Sequence, residues 1–198
     1  MSATPPPGSL PPKSKADLAF TMHILSWLAV NGTAAIVEFP GVLYRGGAER
    51  KIRKYLIDNN FVDAVIQLPP DLFFGTTIAT CIIVLKKSKT DNAVLFIDAS
   101  SQFSRAGNKN KLTEAHQAAI LDTFTNRADI DHMARLMANE KIAANDYNIA
   151  VSSYVEAEDT REAVDITALN AEIARIVARQ AELRAAIDEI VADLEGAS

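Results

Sequence analysis

An α/β fold, with a mostly parallel sheet carrying an antiparallel hairpin at its edge and followed by C-terminal helices, is what this 198-residue sequence predicts. Three observations lead there. Short apolar runs alternate with helix-patterned stretches through the first third of the chain, two β-rich runs then flank five turn-forming residues, and the end of the chain carries an unbroken heptad.

Residues 1–12 hold five of the eight prolines together with Gly8 and Ser9. Proline lacks an amide donor and fixes φ, so this segment predicts an extended lead-in, with structure beginning near Lys13. Leu18, Met22, Leu25 and Leu28 recur at helical spacing between Asp17 and Val30, and Asn31-Gly32 is the stop. Thr33 to Phe39 is a short apolar run ended by Pro40, which suits a buried strand. Gly46-Gly47 precedes a second helix from about Ala48 to Asp58, and Phe61 to Leu68 repeats the strand pattern before Pro69-Pro70 closes it. A helical crossover joins strands that run the same way, so this order favours a parallel sheet. Thr80 to Leu85 and Ala93 to Ile97, joined across Ser88-Lys89-Thr90-Asp91-Asn92, then read as an antiparallel hairpin on the sheet edge.

Ser100 to Lys111 is polar and turn-rich and predicts a flexible loop. Thr113 suits an N-cap for a helix through Phe124 with Leu112, Ile120 and Phe124 on its inner face. The stretch to Val155 is mixed. Ile166, Leu169, Ile173, Ile176, Gln180, Leu183, Ile187, Ile190 and Leu194 then follow one another at alternating intervals of 3 and 4 residues, a heptad seam with one polar member. Such a helix runs roughly 45 Å, more than a domain of this size easily covers, so part of the seam calls for a partner. The expected organisation is a lead-in over 1–12, a globular part over 13–155 and a helical tail over 156–198.

Apolar residues make up 48% and charged residues 23% of the chain, which excludes collagen-like and disordered classes. One cysteine, Cys81, cannot form an internal disulfide or a cysteine-rich zinc site, and a reducing compartment follows. The longest apolar stretch, Leu18 to Val30, is interrupted by Thr21, His23 and Ser26 and is too short to span a bilayer. The first residues lack the basic start and apolar block of a signal peptide, so the cytoplasm is the expected location and no membrane role is indicated. The net charge of −5 is uneven: residues 155–198 hold 11 acidic and 4 basic side chains, against 14 and 16 in the remainder. A mildly basic body that can approach phosphate and an acidic tail that DNA repels imply different partners.

Several chemistries have no carrier. There is no Gly-x-Gly and no Gly-Lys-Ser/Thr loop, which removes the usual dinucleotide and nucleotide-hydrolysing sites. His23, His116 and His132 lie far apart without metal-ligand spacing and read as structural or surface residues, and no metal site is predicted. Cys81 sits inside an apolar strand, where a thiol behaves as a small hydrophobe rather than a nucleophile. No catalytic residue is assigned.

The run Leu68-Pro69-Pro70-Asp71-Leu72-Phe73-Phe74-Gly75-Thr76-Thr77-Ile78-Ala79-Thr80-Cys81-Ile82-Ile83-Val84-Leu85-Lys86-Lys87 resembles the methylation subunit of type I restriction-modification systems, an adenine-specific DNA methyltransferase. Pro11 to Phe20, Gly41 to Glu49 and Asn145-Asp146-Tyr147-Asn148-Ile149 agree, in the family's order. The resemblance implies part of a Rossmann-like sheet that binds S-adenosylmethionine, ending in an antiparallel strand, with C-terminal helices that pack on a specificity subunit. Methylating the adenine amino group requires the base to leave the duplex, and a flipped base is held by stacking on aromatic faces. By resemblance that aromatic lies in the loop before the antiparallel strand, at Phe73 or Phe74, with Phe73 slightly favoured by its distance to the strand. The bland reading puts these rings in the sheet-edge core. The family's glycine-rich cofactor loop and its Asn-Pro-Pro-Phe tetrapeptide are both missing, and no proline here follows an asparagine. The chain therefore resembles the second half of the catalytic domain, which would use S-adenosylmethionine only within the complete subunit and be inactive alone.

Arg45, Arg50, Arg53 and Lys54, on or just before the second helix, and Lys109 and Lys111 in the later loop are candidates for DNA phosphate contact, although a solvated helix face explains the first group as well. Gln180 lowers the stability of the seam and can set its register. By resemblance the seam's partner is the specificity subunit, acting beside a restriction subunit, while a homodimer fits the pattern equally. The alternative to a methyltransferase portion is a non-catalytic assembly protein whose working part is the heptad helix.

Overall fold

The computed structural model describes residues 16–158 and 165–196; the lead-in predicted for 1–12 lies outside them. The chain divides into two compact units, Met1–Glu158 and Asp159–Ser198. In the first, α1 (Asp17–Trp27) and α2 (Ala48–Asp58) alternate with β1 (Thr33–Glu38) and β2 (Val62–Gln67), as the periodicity predicts. Leu18, Met22 and Leu25 are the buried residues of α1's apolar stripe, and the helix ends where Leu28 turns extended, before the Asn31-Gly32 stop. Gly47, at φ +68°, opens α2 in a conformation that a residue with a Cβ resists.

Next come β3 (Cys81–Lys86), β4 (Ala93–Asp98), a short pair β5 (Ser104–Ala106) and β6 (Lys109–Lys111), α3 (Glu114–Asn126), β7 (Ala134–Ala138) and α4 (Asn139–Ala144). The main sheet has the order β1-β3-β2-β4-β7. Strands β1, β2 and β4 share one direction, and β3 and β7 run against them. The α/β class stands, but the expected edge hairpin does not form, because β2 lies between β3 and β4. The turn-rich link passes over the start of β2, where Lys89 Nζ donates to the carbonyls of Val62 at 2.7 Å and Ala93 at 2.5 Å. The cause lies in β2 itself: its first five residues are buried, so it needs a neighbour on each side, and turn residues allow a crossing as readily as a hairpin.

Side chains alternate between two cores on the two faces of the sheet. Cys81, Ile83, Leu85, Val94 and Phe96 face α1, α2 and α4, while Ala64, Ile66, Val84, Leu95 and Ile97 face α3. Each fully buried Leu or Ile contributes about 1.5–3 kcal/mol. Thr113 caps α3 as predicted and His116 completes a reciprocal capping box, which gives that histidine its structural role. Leu112, Ile120 and Phe124 pack on the second core, and Arg127, left-handed at the end of α3, pairs with Asp63 at 3.1 Å.

The second unit contains α5 (Ile166–Gly196). Asp165 Oδ1 accepts from the amides of Thr167 and Ala168, a cap that fixes where the helix starts. Taken by itself, α5 leaves its apolar seam from Ile166 to Leu194 between 46% and 69% exposed. No helix among the described residues is long and apolar enough to cross a membrane.

Candidate functional site

Because β1, β2 and β4 run the same way, the segments that follow them emerge at one end of the sheet. Ligands of open α/β sheets bind outside such carboxyl ends. Here residues 68–80, between β2 and β3, meet residues 99–112, after β4.

The neck of the first loop is closed by Leu68 N donating to the Thr80 carbonyl at 2.9 Å, with Gln67 Nε2 on the same oxygen at 3.1 Å. Pro69 and Pro70 stiffen the outgoing limb, and Asp71 turns it at φ +57°. The β5–β6 pair then braces both limbs, which corrects the expectation of a flexible loop at 100–111. Asn110 donates its amide to the Asp71 carbonyl at 3.0 Å and its Nδ2 to the Pro70 carbonyl at 2.8 Å. Arg105 pairs with the Asp71 carboxylate at 3.3 Å, and Lys109 Nζ donates to the Thr76 carbonyl at 2.9 Å on the returning limb. Pairing is possible because Gly107 makes the tight β5–β6 turn at φ +61°.

Between the braced points, Leu72 packs inward against the second core while Phe73 stays 42% exposed and Phe74 is fully exposed. Gly75 follows at φ +82°, a turn in which a side chain would be strained. Both predicted aromatics therefore sit on the projecting part of a pinned loop, not in the sheet-edge core.

At the same end, Glu38 closes β1 and accepts from Thr21 Oγ1 at 2.8 Å. Burial pushes its carboxyl above the usual range, opposed by the Thr21 hydrogen bond and assisted by the Asp17 charge. The neighbouring Cys81 thiol donates to the Glu38 carbonyl, and burial pushes it up to about 12, so it remains a protonated hydrophobe. Glu38 was missed in the sequence; its signal was a lone carboxylate ending an apolar run just before Pro40. Asp71 and Asn110 were missed as braces, and nothing in a polar loop distinguishes them.

The basic candidates separate. Arg53 is only 1% exposed and donates to the carbonyls of Tyr147 at 2.8 Å and Val42 at 2.9 Å. Arg53 is therefore not a phosphate contact, contrary to the expectation from helix-face charge: no phosphate reaches a guanidinium sealed between two backbone carbonyls. Burial lowers its pKa to about 10, which still leaves it charged at neutral pH. Arg50 pairs with Asp146, and Lys54 donates to the Tyr147 hydroxyl at 2.7 Å and lies 4.7 Å from the centre of that ring. The Asn145–Ile149 segment, known from resemblance alone, is thus what α2's basic face holds. Arg45 lies 3.5 Å from the Glu49 carboxylate, Lys109 is engaged by the loop, and Lys111 is exposed.

Among the described residues, no group of three or more His, Cys, Asp or Glu side chains is placed to hold a metal ion. At Gly41, in the turn after β1, the Arg45 guanidinium lies 2.5 Å from where a Cβ would stand, so the space beside that glycine is filled by the chain's own arginine.

With this geometry in place, the relatives are informative. The N-6 DNA Methylase family model matches residues 4–163. The type I restriction enzyme MpnII methylase subunit of Mycoplasma pneumoniae is 46% identical over 189 residues, covering 95% of this chain and 35% of that one. The MjaVII methylase subunit of Methanocaldococcus jannaschii is 33% identical over 195 residues, covering 96% of this chain and 33% of that one. A solved type I methyltransferase subunit from Streptococcus thermophilus superposes with a TM-score of 0.72 at 46% identity, over 74% of this chain and 31% of that one. The EcoKI M protein, at 20% identity and a TM-score of 0.60, shares the fold. This chain spans about a third of the length of the two methylase subunits it matches, and on the family match and these identities it belongs to the N-6 DNA methylase family.

Proposed function

We propose that this chain supplies the base-holding loop of an adenine-specific DNA methylase, with Phe73 and Phe74 offering the aromatic surface on which an extruded adenine stacks. The observation that carries this reading is the loop's construction: an exposed phenyl pair projecting from a segment hydrogen-bonded on both limbs. Exposed aromatic surface costs free energy, and bracing the loop lowers the entropy lost when a planar ligand docks. Stacking on such a ring is worth about 1–3 kcal/mol per base.

In the complete subunit S-adenosylmethionine would supply the methyl group from its sulfonium, leaving as the neutral thioether S-adenosylhomocysteine, while the adenine amino nitrogen would lose a proton. The sequence holds no Gly-x-Gly loop for this cofactor, so we assign its site to the complete subunit and expect the chain alone to be inactive. Arg50, Lys54 and Lys111 retain exposed surface from which to meet backbone phosphate. The uncovered seam of α5 supports a second element of the reading: a coiled-coil pairing with the specificity subunit of a type I system, beside a restriction subunit, in the cytoplasm where DNA and cofactor are found.

Purified chain is mixed with DNA and methyl-labelled cofactor, alone and with a specificity subunit. No label transfers from the chain alone; transfer by it would contradict the incomplete site. Removing residues 164–198 abolishes specificity-subunit binding, and retained binding would take α5 out of the account.

A further inference from the structure

The base-holding reading treats the two rings of residues 68–80 alike, but their surroundings differ. Lys109 clamps the loop at both ends of its tip, with Nζ 2.9 Å from the Thr76 carbonyl and 3.8 Å from the Asp71 carboxylate. Only Leu72, Phe73, Phe74 and Gly75 lie between those points. Leu72 packs against the second core, Phe73 is 42% exposed, and Phe74 is fully exposed. Gly75 has nothing within 4 Å of where a Cβ would stand, so the space beside the Phe74 ring is open on that side.

A ring more than half covered by protein has one face to offer, which is what stacking a single base requires. A ring with both faces free suits a place between two bases, because stacking on one alone leaves the other face in water. The clamp keeps the Phe74 ring from retracting onto the protein. Strands β5 and β6, which hold the tip, carry Arg105, Lys109 and Lys111 and no carboxylate. The Arg105 side chain is 54% exposed and Lys111 is exposed as well. That charge beside a bare ring matches a partner lined with phosphate rather than an apolar protein face.

We infer that Phe74 is a wedge that enters the DNA stack at the place the target base leaves, while Phe73 takes the extruded base. Apolar side chains, phenylalanine among them, insert between base steps, and an extruded base leaves a slot of that kind behind. A clamped tip loses little further freedom on entering it. This inference rests on the base-stacking reading and divides the work between the two rings.

Single-turnover methyl transfer by the complete subunit with its specificity subunit tests it on two duplexes. In one the target adenine is paired; in the other an abasic site lies opposite, so the base leaves the stack at lower cost. Relative to the unsubstituted subunit, Phe74→Ala is expected to slow transfer about tenfold on the paired duplex and less than about threefold on the abasic one. Phe74→Leu, which keeps an apolar wedge, retains most of the rate on both. Phe73→Ala slows both duplexes alike, since the contact to the base is lost whether or not the pair is open. Both rings are exposed, so each variant keeps the melting temperature of the unsubstituted subunit. The wedge is overturned by an equal loss from Phe74→Ala on the two duplexes, by no loss on the paired one, or by Phe74→Leu being as slow as Phe74→Ala. Undiminished transfer by Phe73→Ala on both duplexes would instead overturn the stacking reading beneath it, so the two failures are told apart.

Discussion

Arg53 on α2 and Lys109 on β6 look alike in sequence, yet the first is drawn into the body of the protein and the second stays partly exposed. On α2, Arg53 disappears beneath Tyr147, and Arg50 and Lys54 close over that residue's ring and hydroxyl. The segment they hold turns sharply, with Asp146 and Tyr147 both at φ +55°, and so presents a carbonyl to the buried guanidinium. On β6, Lys109 and Asn110 donate to the loop's carbonyls at Thr76, Asp71 and Pro70, and Lys109 remains partly exposed. A buried brace fixes the fold, whereas a half-exposed one fixes a loop without burying what the loop carries. The second arrangement is what a binding surface requires.

The largest expected effect breaks the buried brace. Arg53→Met leaves two carbonyls without their donor, and we expect a loss of about 3 kcal/mol in urea denaturation. A loss no greater than that of a surface substitution would erase the distinction between the two braces. Asn110→Ala, at the other brace, is expected to cost about 1 kcal/mol while raising amide exchange across residues 70–76; unchanged exchange there would mean the loop holds itself.

The dependence of stability on pH sharpens the contrast. Folding raises the Glu38 carboxyl, so the folded state favours its protonated form. The corresponding stability is present in full below the ordinary carboxylate value and is lost as pH rises through the raised one. Glu38→Gln removes that decline, and an unaltered profile would contradict the assignment. Asp146 is opposite in sign: the Arg50 hydrogen bond holds it low, so its contribution is present above the ordinary value and disappears as pH falls through the lowered one. Asp146→Asn flattens the acid limb by a smaller amount, because that pair is exposed. Smallest of all, Lys111→Ala in the complete subunit leaves stability unchanged and makes the logarithmic salt dependence of DNA affinity shallower by about one. No change in that slope would remove Lys111 from the phosphate contacts.

Local pattern made much of this legible. The spacing of Leu18, Met22 and Leu25, the two glycines before α2 and the Thr113 cap each act within a few residues, and each element forms where they place it. Strand pairing was not legible, since Thr80–Leu85 and Ala93–Ile97 satisfy a hairpin's local rules and only the burial of β2 on both sides decides otherwise. The aromatic pair was found through resemblance, while its braces were not, because Asp71 and Asn110 meet across 39 residues of sequence by way of the parallel course of β2 and β4. Arg53 illustrates the same limit: charge at helical spacing marks a face, but the partner that buries it lies 94 residues away.

The proposed role of the ring pair at Phe73 and Phe74 is to grip an unstacked base. The most direct measurement places the fluorescent base 2-aminopurine at the methylated position of a DNA duplex and follows its emission on binding to the complete subunit, with and without Phe73→Ala and Phe74→Ala together. Extrusion followed by stacking on phenylalanine predicts that the intact loop shifts the emission on binding and that the double substitution abolishes the shift while the protein's melting temperature is retained. An identical emission change from both proteins would contradict it.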